Sequence, residues 1–310
     1  MIVKVKNVVK RYSEKLALDH FNMEVKEGEI LGLLGPNGCG KTTAINCILS
    51  LLNFDKGEIQ LFGQKMTPNS YDIKRQIGLV PQEVSVFENL TVRENIDYFC
   101  GLYVDDKNTR RRYVDEAIEF VGLKDYVKYY PKKLSGGLKR RLNIACGIVH
   151  KPKLIFLDEP TVAVDAQSRN FILEGIRKLN QEGSTIIYTT HYLEEAEMLC
   201  SRIIIMDNGK DLVSGTTEEL KAMITTSEKI VVSFLSLEDE MIDSMHKIPH
   251  VVDIEKKGED LIIKFENGNN NLSNLISFIT EHKLTYRKLY SQLPTLNDVF
   301  LELTGRELRD

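Results

Sequence analysis

Long apolar runs are absent from this chain of 310 residues. No stretch reaches the roughly 20 consecutive apolar residues that a membrane-spanning helix needs. A signal peptide is excluded as well. The opening MIVKVKNVVKRY alternates apolar with charged residues and offers no unbroken apolar core. Paired cysteines are lacking. The five present (Cys39, Cys47, Cys100, Cys146 and Cys200) are odd in number, scattered and without a CxxC pair. That argues against a disulfide framework or a zinc site and for a reducing compartment. Excess positive charge is missing too: 41 Lys and Arg stand against 45 Asp and Glu, and the net charge of −4 argues against a nucleic-acid partner. Tryptophan is absent, which by itself excludes nothing. No repeat or low-complexity tract occurs beyond the short Asn269-Asn270-Asn271 turn. Together these absences predict a protein that is cytosolic, or that reaches a membrane only through a partner chain.

What is there reads as an ordinary globular protein, long enough for one large domain and a smaller one. Residues 2–12 and 21–25 alternate at period two, which predicts half-exposed antiparallel strands at an edge. EGEILGLLG (27–35), LIFLDEP (154–160) and STIIYTTH (184–191) are continuous apolar runs, as expected of strands buried on both faces. RIIIMDNGK (202–210) ends in Asn208-Gly209, a hairpin turn. Buried strands alternating with helical segments predict an α/β fold with a mainly parallel central sheet and an antiparallel β edge. Between Gln82 and Pro131 the pattern becomes helical. Thr91 and Glu94 form a capping-box sequence before VRENIDYFCGLY, and Tyr113, Ala117, Phe120 and Val121 mark a second helical face. This predicts a helical insertion at about residues 83–133. After Thr225 the rhythm resets to βαββαβ, a small ferredoxin-like α+β domain. A last helix starts at Pro294-Thr295, with Leu296, Val299, Phe300 and Leu303 on one face. The expected domains cover residues 1–220 and 225–310, with a boundary near 215–228.

The stretch GPNGCGKTT (Gly35, Pro36, Asn37, Gly38, Cys39, Gly40, Lys41, Thr42, Thr43) fits the pattern GxxxxGK[ST] between a buried strand and a helical TTAINCILSLL. Glycines let backbone N–H groups converge on phosphate oxygens, and the following helix adds its positive end. Lys41 is placed to reach the β- and γ-phosphates and the Thr42 hydroxyl to hold Mg²⁺. The strand LIFLDE delivers Asp158 and Glu159 to its carboxyl end, where α/β sheets bind ligands. Adjacent strand residues point to opposite faces, so one carboxylate can hold the metal while the other polarises an attacking water. A second glycine-rich helix start, LSGGLKRRL (134–142), offers further anion donors, or simply a helix cap. Its basic run Lys139-Arg140-Arg141, like Arg110-Arg111-Arg112, reads as a solvated helix face. Cys39 stands beside Lys41 and a helix N-terminus, which predicts a lowered thiol pKa and ready alkylation, with the other four cysteines inert.

Taken in order, these motifs resemble the nucleotide-binding subunit of an ATP-binding cassette (ABC) transporter, a P-loop ATPase, over residues 1–220. GPNGCGKTT resembles Walker A, LIFLDE resembles Walker B, and Gln82 in LVPQE resembles the Q-loop glutamine. LSGGL (Leu134, Ser135, Gly136, Gly137, Leu138) resembles the signature, Asp165 in TVAVD the D-loop aspartate, His191 the switch histidine, and Tyr12 the aromatic that stacks on adenine. The resemblance implies ATP and Mg²⁺ as ligands, with Thr42, Gln82 and Asp158 at the metal and Glu159, His191 and Gln82 in catalysis. It also implies a head-to-tail homodimer or heterodimer, in which the signature of one chain closes on ATP held by the other. A separate transmembrane permease subunit would then hold the motor at the cytoplasmic face of the membrane. The ending LPTLNDVFLELTGRELRD resembles the tail of exporters of drugs, antibiotics, sodium and bacteriocins whose membrane subunits are separately encoded.

Two departures stand out. Leu138 replaces the usual glutamine, and Ala163 occupies a position where glycine is common, so a positive φ there would strain the D-loop. The alternative class is a soluble ABC ATPase acting on ribosomes or DNA. It is disfavoured by the single set of motifs, the lack of a heptad run between Lys41 and Asp158, and the acidic net charge.

Overall fold

The computed structural model describes residues 1–266, 268 and 270–306. Asn269 of the asparagine turn and residues 307–310 of the tail lie outside them. The described residues divide into two compact units, Met1–Ser214 and 215–306. The division falls at the early edge of the interval where the rhythm of the sequence changes.

In chain order the first unit contains β1 (Val3–Tyr12), β2 (Lys15–Val25), β3 (Ile30–Leu34), α1 (Lys41–Ile48), β4 (Lys56–Leu61), β5 (Gln64–Lys65), α2 (Tyr71–Lys74) and β6 (Ile77–Val80). It continues with α3 (Val92–Gly101), α4 (Lys107–Phe120), α5 (Gly136–Ile148), β7 (Leu154–Asp158), α6 (Ala166–Gln181), β8 (Thr185–Thr190), α7 (Leu193–Leu199), β9 (Arg202–Asp207) and β10 (Lys210–Gly215). The strands form an antiparallel sheet ordered β2-β1-β4-β5 and a six-stranded sheet ordered β10-β9-β3-β8-β7-β6. Within the larger sheet β9, β3, β8, β7 and β6 run parallel. β3, β7 and β8 are buried along their whole length, as their unbroken apolar runs require. Strands β4, β5 and β6 are not marked by the sequence. β6 is only IGLV, and β4 (KGEIQL) fully buries Ile59 and Leu61 alone, so neither run declares its type. The insertion comprises α3 and α4. Thr91 and Glu94 form the capping box of α3, and Val114, Ala117 and Ile118 are the buried residues of α4.

The second unit contains α8 (Thr217–Ala222), β11 (Glu228–Phe234), α9 (Asp239–Met245), β12 (Val251–Lys257), β13 (Asp260–Phe265), α10 (Asn271–Glu281), β14 (Tyr286–Gln292) and α11 (Leu296–Thr304). Its antiparallel sheet is ordered β12-β13-β11-β14, the ferredoxin-like order. Ile230, Val232, Ile263, Phe265, Leu275 and Ile279 build its core. α11 is capped by Thr295 and Asp298 and buries Leu296, Val299 and Phe300, whereas Leu303 on the expected face is exposed.

Candidate functional site

Four neighbouring strands, β3, β8, β7 and β6, bring their carboxyl ends into one row. Leu34 lies opposite Thr190, Thr189 opposite Asp158, and Leu157 opposite Val80. The chain leaves β3 into GPNGCGK, β8 into His191, β7 into Glu159 and β6 into Pro81-Gln82. Residues more than a hundred positions apart in sequence thus meet because their strands are neighbours in the sheet.

The loop after β3 is shaped by glycine. Gly40 sits at φ 114°, and an added Cβ would lie 2.5 Å from the Ala17 carbonyl oxygen, so no other residue fits. Gly35 would drive a Cβ to 2.2 Å from the Met206 oxygen. Gly38, at φ 79°, has open space on its Cβ side. Helix α1 then begins with no side chain capping it, which leaves its first N–H groups without a side-chain acceptor. Lys41 is 5% exposed. Its Nζ donates to Gly35 O (2.7 Å) and Pro36 O (3.1 Å) and lies 3.1 Å from Glu159 Oε1.

The two carboxylates diverge. Asp158 accepts from the hydroxyls of Thr42 (2.7 Å) and Thr189 (2.6 Å). Glu159, the next residue, turns at φ 46°, a strained conformation for a residue with a Cβ. Its Oε2 accepts from Gln82 Nε2 (3.2 Å), and His191 Nδ1 lies 3.4 Å from its Oε1 without hydrogen-bond geometry. Both carboxylates and His191 are buried. The structure therefore gathers Lys41, Thr42, Gln82, Asp158, Glu159 and His191 within one set of contacts.

Other expected residues stand apart. Tyr12 is 47% exposed, with Lys10 Nζ 5.2 Å over its ring. Among the described residues no hydrogen bond or ion pair joins Leu134–Leu138 to the phosphate loop. Ser135 caps α5 by accepting from Leu138 N (3.3 Å), and it and Gly136 are exposed. Asp165 caps α6 by accepting from Ser168 N (2.9 Å), which holds its carboxyl below the ordinary value. Ala163 adopts φ 58°, so the D-loop position carries the strain that a Cβ brings there.

Two expectations are overturned. Cys39 is not an activated thiol. It is 5% exposed and packs into the core cluster beneath the loop with Leu18, Leu33 and Met206. Burial pushes its pKa up, and the nearby Lys41 only partly opposes this. The run Lys139-Arg140-Arg141 is not a solvated face either. Arg140 is buried, and Arg141 lies 4.0 Å over the ring of Phe171.

Functional neighbours also emerge that the sequence did not flag. Thr189 supports both residues, donating to the Asp158 carboxylate at Oδ1 and accepting from the Glu159 backbone N (3.0 Å). Glu195 is buried and accepts from Tyr188 (2.7 Å), Thr161 (2.9 Å) and Thr190 (3.0 Å). Hydroxyls in otherwise apolar runs such as IIYTT were the available signal, since a buried hydroxyl needs a partner.

Site chemistry fits a phosphate ligand and a hard divalent cation. Positive-φ glycines and an uncapped helix start form the cradle, a buried lysine sits beside it, and a hydroxyl meets a carboxylate in an all-oxygen donor set. That architecture defines a P-loop ATPase. Residues 18–162 match the ABC transporter family, and residues 215–304 match the C-terminal domain of DrrA1-3-like ATP-binding proteins. The chain is 36% identical to the linearmycin resistance ATP-binding protein LnrL of Bacillus subtilis (strain 168), over all of both chains. It is 33% identical to the daunorubicin resistance ATP-binding protein DrrA3 of Streptomyces coeruleorubidus, covering 99% of this chain and 97% of that one. A solved dimeric ATP-binding cassette, in a post-hydrolysis state bound to ADP and Pi, is similar at TM-score 0.64 and 29% identity, over 69% of this chain and 98% of that one. The chain belongs to the ABC transporter family and is an ATP-binding, ATP-hydrolysing subunit of that family.

Proposed function

We propose that this subunit drives an exporter, hydrolysing MgATP at the interface of a head-to-tail dimer and transmitting the change to a separate transmembrane permease. The observation that carries the reading is Glu159, a buried carboxylate facing Lys41, Gln82 and His191 at one point. Lys41 and the first N–H groups of α1 hold the β- and γ-phosphates. Thr42 and Asp158, with Gln82, would hold Mg²⁺, which would supply charge neutralisation at the phosphates. Glu159 takes the proton of the attacking water. His191, beside Glu159, faces the γ-phosphate. Ser135, Gly136 and Gly137 supply donors to the nucleotide held by the partner subunit, and Asp165 lines the same interface. Tyr12 stacks on the base.

Export, in place of import, is supported by the resistance proteins to which the chain is similar along its whole length. No helix among the described residues is long and apolar enough to cross a membrane. A cavity of about 390 Å³ beside Gln82, lined by Leu51, Pro81, Ser85, Phe99, Tyr103 and His150, suits an apolar permease segment at the cytoplasmic face. Exposed Phe87 and Tyr98 pack edge to face at 4.9 Å, and the Phe87 ring lies 5.9 Å from that of Phe99 in this lining. The test is purification of the tagged full chain from detergent-solubilised membranes of its native cell. A polytopic membrane chain is the expected companion; ribosomal RNA or DNA in its place overturns the reading.

A further inference from the structure

Arg140 and Asn143 lie one turn apart on α5, the helix that opens with the LSGGL segment. Arg140 is 6% exposed, and among the described residues no carboxylate pairs with it directly. Its Nη1 donates to Pro81 O (3.0 Å) and its Nη2 to Gln82 O (2.6 Å). Asn143 Nδ2 donates to the same Pro81 oxygen (3.2 Å), and its Oδ1 accepts from Ser85 N (3.0 Å). The two side chains thus hold main chain on both sides of Gln82, whose own side chain reaches Glu159.

A buried guanidinium satisfied only by carbonyls is costly, and packing alone favours a neutral residue in such a place. Burial pulls Arg140 below its ordinary value, while the charges of Asp158 and Glu159 act in the opposite sense, so the cation is within electrostatic reach of the centre of the site. Its neighbours behave differently. Lys139 pairs with Glu88 at 3.6 Å on the surface, and Arg141 packs on Phe171. Only Arg140 of this run forks onto two successive carbonyls, a geometry that suits guanidinium and not ammonium.

We infer that Arg140 is a positioning residue that clamps the Gln82 loop to the helix carrying the LSGGL segment, so that displacement of that helix moves Gln82 relative to Glu159. The inference rests on the proposed roles of Gln82 and LSGGL. It states which side chain links the two motifs within one chain, and why a lysine or an apolar residue does not serve.

The experiment is a double-mutant cycle on steady-state ATPase activity of the full chain, with Arg140→Met, Gln82→Ala and both together, alongside Arg140→Lys. Arg140→Met is expected to lower kcat by about tenfold with KM for ATP within about twofold, because what is lost is alignment in the transition state. In the Gln82→Ala background the same substitution is expected to change kcat by less than about twofold, because coupled residues are not additive. Arg140→Lys restores part of the loss, since it keeps the charge but not the fork. Melting temperature and nucleotide binding, measured on the same proteins, separate misfolding from misalignment. Should Arg140→Met not fold, the cycle is run with Arg140→Lys. A loss that persists undiminished in the Gln82→Ala background overturns the inference alone. A Gln82→Ala variant with unchanged kcat overturns the reading of Gln82 and the inference with it.

Discussion

Two helices of the first unit begin in a glycine-rich turn, and their surroundings differ. At α1, Lys41 and Cys39 are buried, and side-chain contacts run from Lys41 and Thr42 to residues at the end of β7. At α5, Ser135 and Gly136 are exposed, and among the described residues the Ser135 hydroxyl serves its own helix alone. α5 is nevertheless firmly held from behind. Gly137 packs so closely on α6 that an added Cβ would lie 2.3 Å from Ser168 Oγ, and Arg140 grips the Gln82 loop. The first turn is organised within one chain, while the second is rigid at the back and open in front. Rigid donors facing outward cost little reorganisation when an anion arrives, which is what a surface completing another subunit's site needs.

The largest effect should come from the closed side. Glu159→Gln removes the proposed base but keeps its shape and its contact with Gln82. Turnover is expected to fall by roughly 10²–10⁴-fold while nucleotide binding and ATP-dependent dimerisation persist. Phosphate release and size-exclusion chromatography check this, and near-normal turnover would sink the assignment. On the open side, Ser135→Arg should spare nucleotide binding but block dimerisation, with a turnover loss on the order of 10²–10³-fold for losing such donors. Mixed with Lys41→Ala, which damages the other turn, it should regain some dimerisation, because one composite site is then intact. Full ATP-driven dimerisation by Ser135→Arg alone contradicts the comparison.

A smaller effect separates the front of α5 from its back. Gly137→Ala is expected to destabilise the protein by about 1–3 kcal/mol, since overpacking forces neighbours to shift. Gly136→Ala meets only the Ala163 oxygen at 3.8 Å, and its stability should stay within about 0.5 kcal/mol of the parent. Denaturant melts of the two variants decide the point; equal losses would mean that the two glycines are not differently placed.

Much of this arrangement was legible in the residues, and the limits are physical. Buried parallel strands announce themselves as apolar runs, so β3, β7 and β8 were readable, and with them the positions of Lys41, Asp158, Glu159 and His191. The strand that leads into Gln82 was not, because IGLV is too short to declare a period. Charge was a poor guide to burial. KRR looks solvated in sequence, yet helical geometry turns the middle residue inward, where two carbonyls from a loop far off in sequence satisfy it. Neighbour electrostatics misled in the same way at Cys39. Proximity to Lys41 in the chain is visible in a sequence, but the apolar core beneath the loop is a property of the fold.

Cys39 gives the smallest of these effects and tests the closed side at its base. Burial raises its pKa, so the native state keeps a proton that the unfolded chain releases near the ordinary thiol value of about 8.5. The folded value lies above the unfolded one, so the stability supplied is complete below that pH and is lost as pH rises through the folded value. Denaturant unfolding at pH 7.5 and 9.5 should show the parent losing slightly more stability over that interval than Cys39→Ala does. In the same window maleimide should label Cys39 far more slowly than an unfolded-chain thiol, since the thiolate is scarce and the sulfur covered. Rapid labelling at pH 7.5, with protection by MgATP, would mean that the loop opens enough to bring Cys39 to the phosphates, and the contrast between a closed α1 turn and an open α5 turn would fail at its closed end.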